Sequence, residues 1–333
     1  MNVVNSSFAN KKIAGLIGFI VLGAAVLSTQ AAPEAWAEYP EKPVVLIVAY
    51  SPGGGTDRLG RVLSTYIQPY LGKRLIVQNM PGDNGRIGFS ALAQAPPDGY
   101  TIGFISAPSL FIAKKLQSNV AFSMRDFDLI ANIQTDPVLL AVRGDSPYRT
   151  IGDFIKAAKN NPGKLKVGGD GPRSNNRLQM LVAEKQLGLS INWLSSDGSS
   201  PTLTALMKGD LDAAAPSASS SISYLRTGLL RALAVFSNQP CPHLLDVPTI
   251  QAATGAAVPV IGASLRGIAA PKGLDGARKA HLAQAFAQVV KDKRFVRATD
   301  DMGISLKYMD FAEFSRSLED SEKETSKFIH LFK

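Results

Sequence analysis

With 333 residues, the chain is long enough for two globular domains at roughly 100–200 residues each. A formal charge of +9 favours anionic partners, but the basic residues are scattered and no recognition motif accompanies them, which argues against nucleic acid. The single cysteine, Cys241, excludes an internal disulfide, so the fold must stand on core burial.

Lys11 and Lys12 precede an apolar run from Ile13 to Leu27, and small residues follow as far as Ala35-Trp36-Ala37. The run is about fifteen residues, short of the roughly 20 that cross a bilayer, and its Ala-x-Ala ending suits a signal peptidase. Residues 1–37 therefore read as a secretory leader cleaved near Ala37, and the mature chain as a periplasmic protein.

From Pro43 onward, short β-branched runs alternate with helical patterns, the mark of a parallel sheet covered on both faces. Val44–Ala49 reads as a buried first strand. Ser51-Pro52-Gly53-Gly54-Gly55 turns the chain into a helix from about Thr56 to Leu71, with Leu59, Val62, Leu63, Ile67 and Leu71 on one face. Leu75–Val77 and Thr101–Ile105 complete a βαβαβ start with right-handed crossovers. Leu129–Ile133 and Val138–Val142 are extended runs parted by Thr135-Asp136-Pro137, and read as a first crossing between domains.

The alternation then repeats. A helix is expected at Ile151–Lys159, a strand at Leu165–Val167, a helix from about Ser174 to Leu187, a strand near Ile191–Leu194 and a helix at Pro201–Lys208. Leu229–Phe236 reads as the return crossing, and helices at Asp275–Asp292 and about Phe311–Leu331 close the chain. The expected division is a first domain of residues 38–136 and 236–333, with residues 137–235 inserted as a second. Such a domain pair can close like a jaw, and its cleft is the expected ligand site.

Two glycine-rich strand-to-helix loops carry the chemistry. In Tyr50-Ser51-Pro52-Gly53-Gly54-Gly55-Thr56-Asp57, glycines let the backbone turn and aim N–H groups at an anion beside a helix N-terminus; equally, Thr56 or Asp57 could merely cap that helix. No Gly-Lys-Ser/Thr follows, so a nucleotide P-loop is not expected. In the second domain, Gly168-Gly169-Asp170-Gly171-Pro172-Arg173-Ser174-Asn175-Asn176-Arg177 repeats the design. Here Arg173 could grip a carboxylate, while Ser174, Asn175 and Asn176 supply neutral donors; Arg177 reads as a solvated helix residue. The serines from Ser217 onward either offer hydroxyls to a ligand or begin a helix. His243, His281 and His330 have no metal-ligand spacing, and no Gly-x-Ser-x-Gly elbow is present, so neither a metal site nor a hydrolase nucleophile is expected.

Several motifs together resemble the solute receptors of tripartite tricarboxylate transporters, the Bug receptors. They run in order through Tyr39-Pro40-Glu41-Lys42-Pro43, the Pro52–Asp57 loop, Leu71-Gly72, Asn79–Gly88 and Pro97-Asp98-Gly99-Tyr100-Thr101. Pro162–Leu165, Gly209-Asp210-Leu211-Asp212, Leu230–Val235, Val247-Pro248-Thr249 and Ala270-Pro271-Lys272-Gly273 continue the series. The resemblance implies an α/β periplasmic-binding-protein fold of type II, a Venus flytrap of two doubly wound domains joined by two crossing strands. It implies a small carboxylate ligand and delivery to a membrane permease; the thin catalytic constellations add the expectation of no catalysis, and a monomer without cofactor is expected.

Carried over, the first grip falls on Ser51 to Asp57 and the second on Gly169 to Asn176, with Ser106 and Ser109 as further cleft residues. The full expected set is Tyr50, Ser51, Gly54, Gly55, Thr56, Asp57, Ser106, Ser109, Gly169, Asp170, Gly171, Arg173, Ser174, Asn175, Asn176 and Ser217. Three departures bear on the ligand: Leu194-Ser195-Ser196-Asp197-Gly198 stands where members commonly show Val-Pro-Tyr-Lys-Gly, Leu265 where a tryptophan is frequent, and Arg173 and Asn176 where glycine, serine or histidine would be usual. The competing readings are a periplasmic α/β enzyme acting on a carboxylate or phosphate ester, and a receptor that reports to a signalling partner.

Overall fold

A computed structural model of the chain describes residues 39–117 and 120–332; the expected leader lies outside the described residues. Residues 38–333 form one compact unit, built on two sheets.

The chain lays down β1 (Val44–Val48), β2 (Leu75–Asn79), β3 (Thr101–Ala107) and β4 (Phe127–Asp136) before it leaves the first sheet. After Pro137 it enters the second sheet as β5 (Val138–Arg143), followed by β6 (Lys166–Asp170), β7 (Asn192–Ser196), β8 (Ala213–Ala214) and β9 (Leu230–Phe236). It returns as β10 (Ser264–Pro271) and ends the first sheet with β11 (Leu306–Met309).

The first sheet has six strands in the order β11-β4-β10-β3-β1-β2, and the second has five in the order β7-β6-β8-β5-β9. β1 runs parallel to β2 and β3, whereas β10 runs antiparallel to β3 and β4. The sheets are thus mixed rather than wholly parallel. β10, at the centre of the first sheet, was missed by the sequence patterning, as were the short β8 and β11: Gly267, Ala269 and Ala270 weaken its β-branched signature.

Both faces of the first sheet are buried, which explains the unbroken apolar runs of its strands. Leu46, Phe104, Ile133, Ile268 and Phe286 meet on one side, and Phe89, Phe111, Phe122 and Phe314 on the other. Val138, Phe154, Val167, Val182 and Phe236 anchor the core of the second sheet.

The helix expected from Thr56 to Leu71 is broken into Gly55–Tyr66 and Gln68–Leu71. Pro69 has no N–H to continue the first ladder, so the second helix starts around it. The segment after β9 stays with the second sheet, where the reading placed it with the first: Ile250 and Val258 join that core, and Gln179 Nε2 donates to the Pro259 carbonyl at 3.0 Å. Near the C-terminus, Phe328 and Leu331 pack on the same core.

Candidate functional site

The first loop leaves β1 and opens the helix Gly55–Tyr66. Gly53 has φ +81°, a left-handed turn that glycine adopts without strain. Asp57 braces this turn from behind. Its Oδ2 accepts from the Gly53 N–H at 2.8 Å and from Arg61 Nε at 2.9 Å, and its Oδ1 accepts from Asn79 Nδ2 at 2.9 Å. Burial pushes the Asp57 carboxyl up, yet these donors outweigh it and hold the group below the usual carboxylate range. The N-cap is Gly54, which carries no side chain, so no side chain of its own caps the helix start; the Gly55 N–H donates instead to Ser220 Oγ at 2.9 Å.

The second loop leaves β6 at Asp170. Ser174 caps the helix Asn175–Leu187, accepting from Arg177 N at 3.1 Å while its Oγ donates to the Asp170 carbonyl at 2.9 Å. The side chains of the next residues are committed to the walls. Asn175 Nδ2 donates to the Gly262 carbonyl at 2.6 Å, and Asn176 Nδ2 to the Ala215 carbonyl at 2.6 Å.

The two loops border one cavity of about 30 Å³, with a second of about 20 Å³ beside it. Space of this size holds one or two waters, so the walls are closed on each other. Ser51 Oγ donates to the Asp197 carbonyl at 2.7 Å, and Ser109 Oγ to Asn175 Oδ1 at 3.0 Å.

Tyr50, Ser51, Gly54, Gly55, Thr56, Ser106, Asp170, Asn175, Asn176 and Ser217 all line the larger cavity, and Ser109 and Ser174 line the smaller. Four expected residues do not line either. Asp57 lies behind its loop. Gly169 is pressed against the Trp193 ring and Gly171 against the Asn84 side chain. Arg173 points to solvent, exposed at the loop surface.

Arg177 is not solvated: it pairs with Glu184 and lies over the Trp193 ring, 5.2 Å from its centroid. Ser217 does begin a helix, Ala218–Arg226, but its hydroxyl bonds Ser220 Oγ at 2.8 Å rather than a backbone N–H.

The reading missed Arg266, Asp136, Ser199 and Ser264. Ser264 and Arg266 sit two apart on β10, so they face the cavity together; without the strand assigned, that alternation had no frame. Arg266 forms an ion pair with Asp136, the last residue of β4, and its side chain and that of Asp136 are 5% and 2% exposed. Arg266 Nη1 also donates to Gln134 Oε1 at 2.7 Å.

Among the described residues, no group of three or more His, Cys, Asp or Glu side chains could hold a metal ion, and no helix is long and apolar enough to cross a membrane.

A family model described as the tripartite tricarboxylate transporter family receptor matches residues 59–332. The chain belongs to that family. It is 32% identical over 218 residues to a UPF0065 protein in the tcbD-tcbE intergenic region of Pseudomonas sp. (strain P51), an alignment covering 65% of each chain. A structure of periplasmic binding protein BugD superposes with a TM-score of 0.79 at 25% identity, covering 88% of this chain and 97% of BugD. R. palustris Rpa4515 with adipate gives 0.82 at 25% identity, covering 88% and 98%.

In this chain, the helices Gly55–Tyr66, Asn175–Leu187, Ser199–Lys208 and Ala218–Arg226 all begin at the cavity wall. Their dipoles place partial positive charge around one space, each typically contributing about 0.3–1 kcal/mol toward an anion. The Tyr50 hydroxyl and Arg266 Nε are buried there without a hydrogen-bond partner. Asp170 is the exception in sign. Its Oδ1 accepts from Ser199 Oγ at 3.1 Å, and burial pushes its carboxyl up to about 6. The Tyr50 phenol is raised by burial as well.

Proposed function

We propose that the protein is a periplasmic solute-binding receptor that closes its two lobes on a small carboxylate and hands it to the permease of a tripartite tricarboxylate-type transporter, without chemistry of its own. The observation that carries this reading is the convergence of helix N-termini and unpartnered donors on one cavity between the sheets. The likeness to a receptor solved with adipate supports the ligand class. The cleft residues of this reading are those that line the cavity, with Arg266, Ser199 and Ser264 added and Arg173 set aside. Its lobes part at Asp136-Pro137 and rejoin at Gly262–Ser264.

No catalysis is invoked; two of the three histidines serve elsewhere, His281 Nε2 bonding the Leu71 carbonyl at 3.0 Å and His243 lying 3.8 Å from Asp300. Export rests on the leader and the family, and delivery on the family alone.

A thermal-shift screen of mono-, di- and tricarboxylates tests the ligand class. A ligand at 100 times its dissociation constant adds about 2.7 kcal/mol of stability, and a micromolar affinity, about −8 kcal/mol, is expected of a receptor that must also release. Silence across all carboxylates would sink the reading. Co-purification with the membrane permease subunits, and N-terminal sequencing of the periplasmic form, test partner and export. Turnover of any retained carboxylate would favour an enzyme instead.

A further inference from the structure

Asp170 is the last residue of β6 and borders both cavities. Its side chain receives one hydroxyl, Ser199 Oγ on Oδ1, and makes no ion pair within 4.0 Å among the described residues. The cavity's cation, Arg266, is already committed to Asp136 and Gln134. A carboxylate enclosed with a single neutral donor is costly unless it gains a proton or a cation.

The other walls are built for the opposite sign. The Tyr50 hydroxyl and Arg266 Nε are buried without acceptors, and the helix Gly55–Tyr66 begins at the same wall, its Gly55 N–H held by Ser220 Oγ. The space therefore offers donors on the first lobe and one uncompensated acceptor on the second. A guest with negative groups at both ends would set one of them against Asp170.

We propose that Asp170 makes the cleft selective for an aminocarboxylate, its ammonium on Asp170 and its carboxylate on the donors of the first lobe. This rests on the reading of the cleft as a carboxylate site and narrows it. Asp170 acts as a specificity residue: among the described residues its carboxylate bonds only Ser199 of its own lobe, and the bonds that bridge the lobes run through other side chains, Ser51, Ser220 and Ser109.

Isothermal titration tests it, using amino acids beside their deaminated partners: aspartate with succinate, glutamate with glutarate, alanine with propionate, and phenylalanine with 3-phenylpropionate. The expected result at pH 7.5 is an amino member binding at least ten-fold tighter than its partner. Asp170→Asn then lowers that affinity at least ten-fold and erases the preference, with Asp170→Ser as a second variant and a melting curve to confirm folding. Affinity of the amino member rises from pH 5 to pH 7.5 in the parent protein and stays flat in Asp170→Asn. The groups facing Asp170 are Tyr50 of the first loop, Ser199, Arg266 of β10 and, behind it, Asp136 of β4; burial pushes Asp170 up to about 6, inside that window, and raises the Tyr50 phenol away from it.

Equal or tighter binding of the deaminated partner overturns the proposal while sparing the carboxylate reading. In that case affinity falls as pH rises, because a protonated Asp170 serves as donor. Silence from both columns overturns the carboxylate reading and this one together.

Discussion

Asp170 couples the cleft to the stability of the fold. A free aspartate titrates near 3.9, and the folded group near 6, so between those values the native state binds more protons than the unfolded one. Stability therefore declines as pH rises through that window, and above it the charged carboxylate costs the fold on the order of 1–3 kcal/mol, allowing for its partial exposure to the cleft. Asp170→Asn should accordingly melt about 2–6 °C above the parent at pH 7.5, with the gap closing near pH 4, as read by calorimetry at both values. A gap that persists at pH 4 would mean that the amide gains a contact unrelated to charge.

The pair Asp136–Arg266 behaves in the other direction. Both side chains are buried, so Asp136→Ala strands a guanidinium and should cost about 3–5 kcal/mol, measured as the shift in urea midpoint.

At the scale of elements, the first loop works by close approach. A Cβ on Gly55 would stand 2.8 and 2.9 Å from the Arg266 guanidinium nitrogens and closer still to Ser219 Oγ. Arg266 cannot yield without leaving Asp136, so Gly55→Ala should hold the walls apart: ligand affinity falls at least ten-fold, while the melting temperature moves by only a few degrees.

The need for glycine at this loop was legible from Gly53-Gly54-Gly55 between a strand and a helix. So were β1 to β7 and the crossing at Asp136, since runs such as Val44–Val48 and Val138–Val142 are buried on both faces and have no polar alternation to hide them. What escaped notice was short-range silence. β10 carries Gly267 because the Phe314 ring occupies the place of its side chain, and a long-range contact of that kind leaves no local periodicity. With β10 unseen, Arg266 had no face. Arg173 misled for the converse reason: residue type suited a carboxylate, but loop direction, fixed by the Ser174 cap, turns it to solvent.

For the whole molecule, the architecture was visible in the order of motifs along the chain, whereas the degree of closure was not, because it depends on bonds between residues far apart in sequence. Ser51–Asp197, Gly55–Ser220 and Ser109–Asn175 bridge the lobes over separations of 146, 165 and 66 residues. Water can replace each of these when the cleft opens, so each favours closure by only about 0.5–1.5 kcal/mol. A ligand favours closure by binding the closed form better than the open one. Ser109→Ala removes one bridge without touching either core. Its expected signature is a three- to ten-fold loss of affinity, almost all of it in a faster dissociation rate, with the urea midpoint unchanged. Stopped-flow dissociation and equilibrium unfolding on the same preparation separate the two. A fall in association rate with dissociation untouched would place Ser109 on the entry path rather than in the latch.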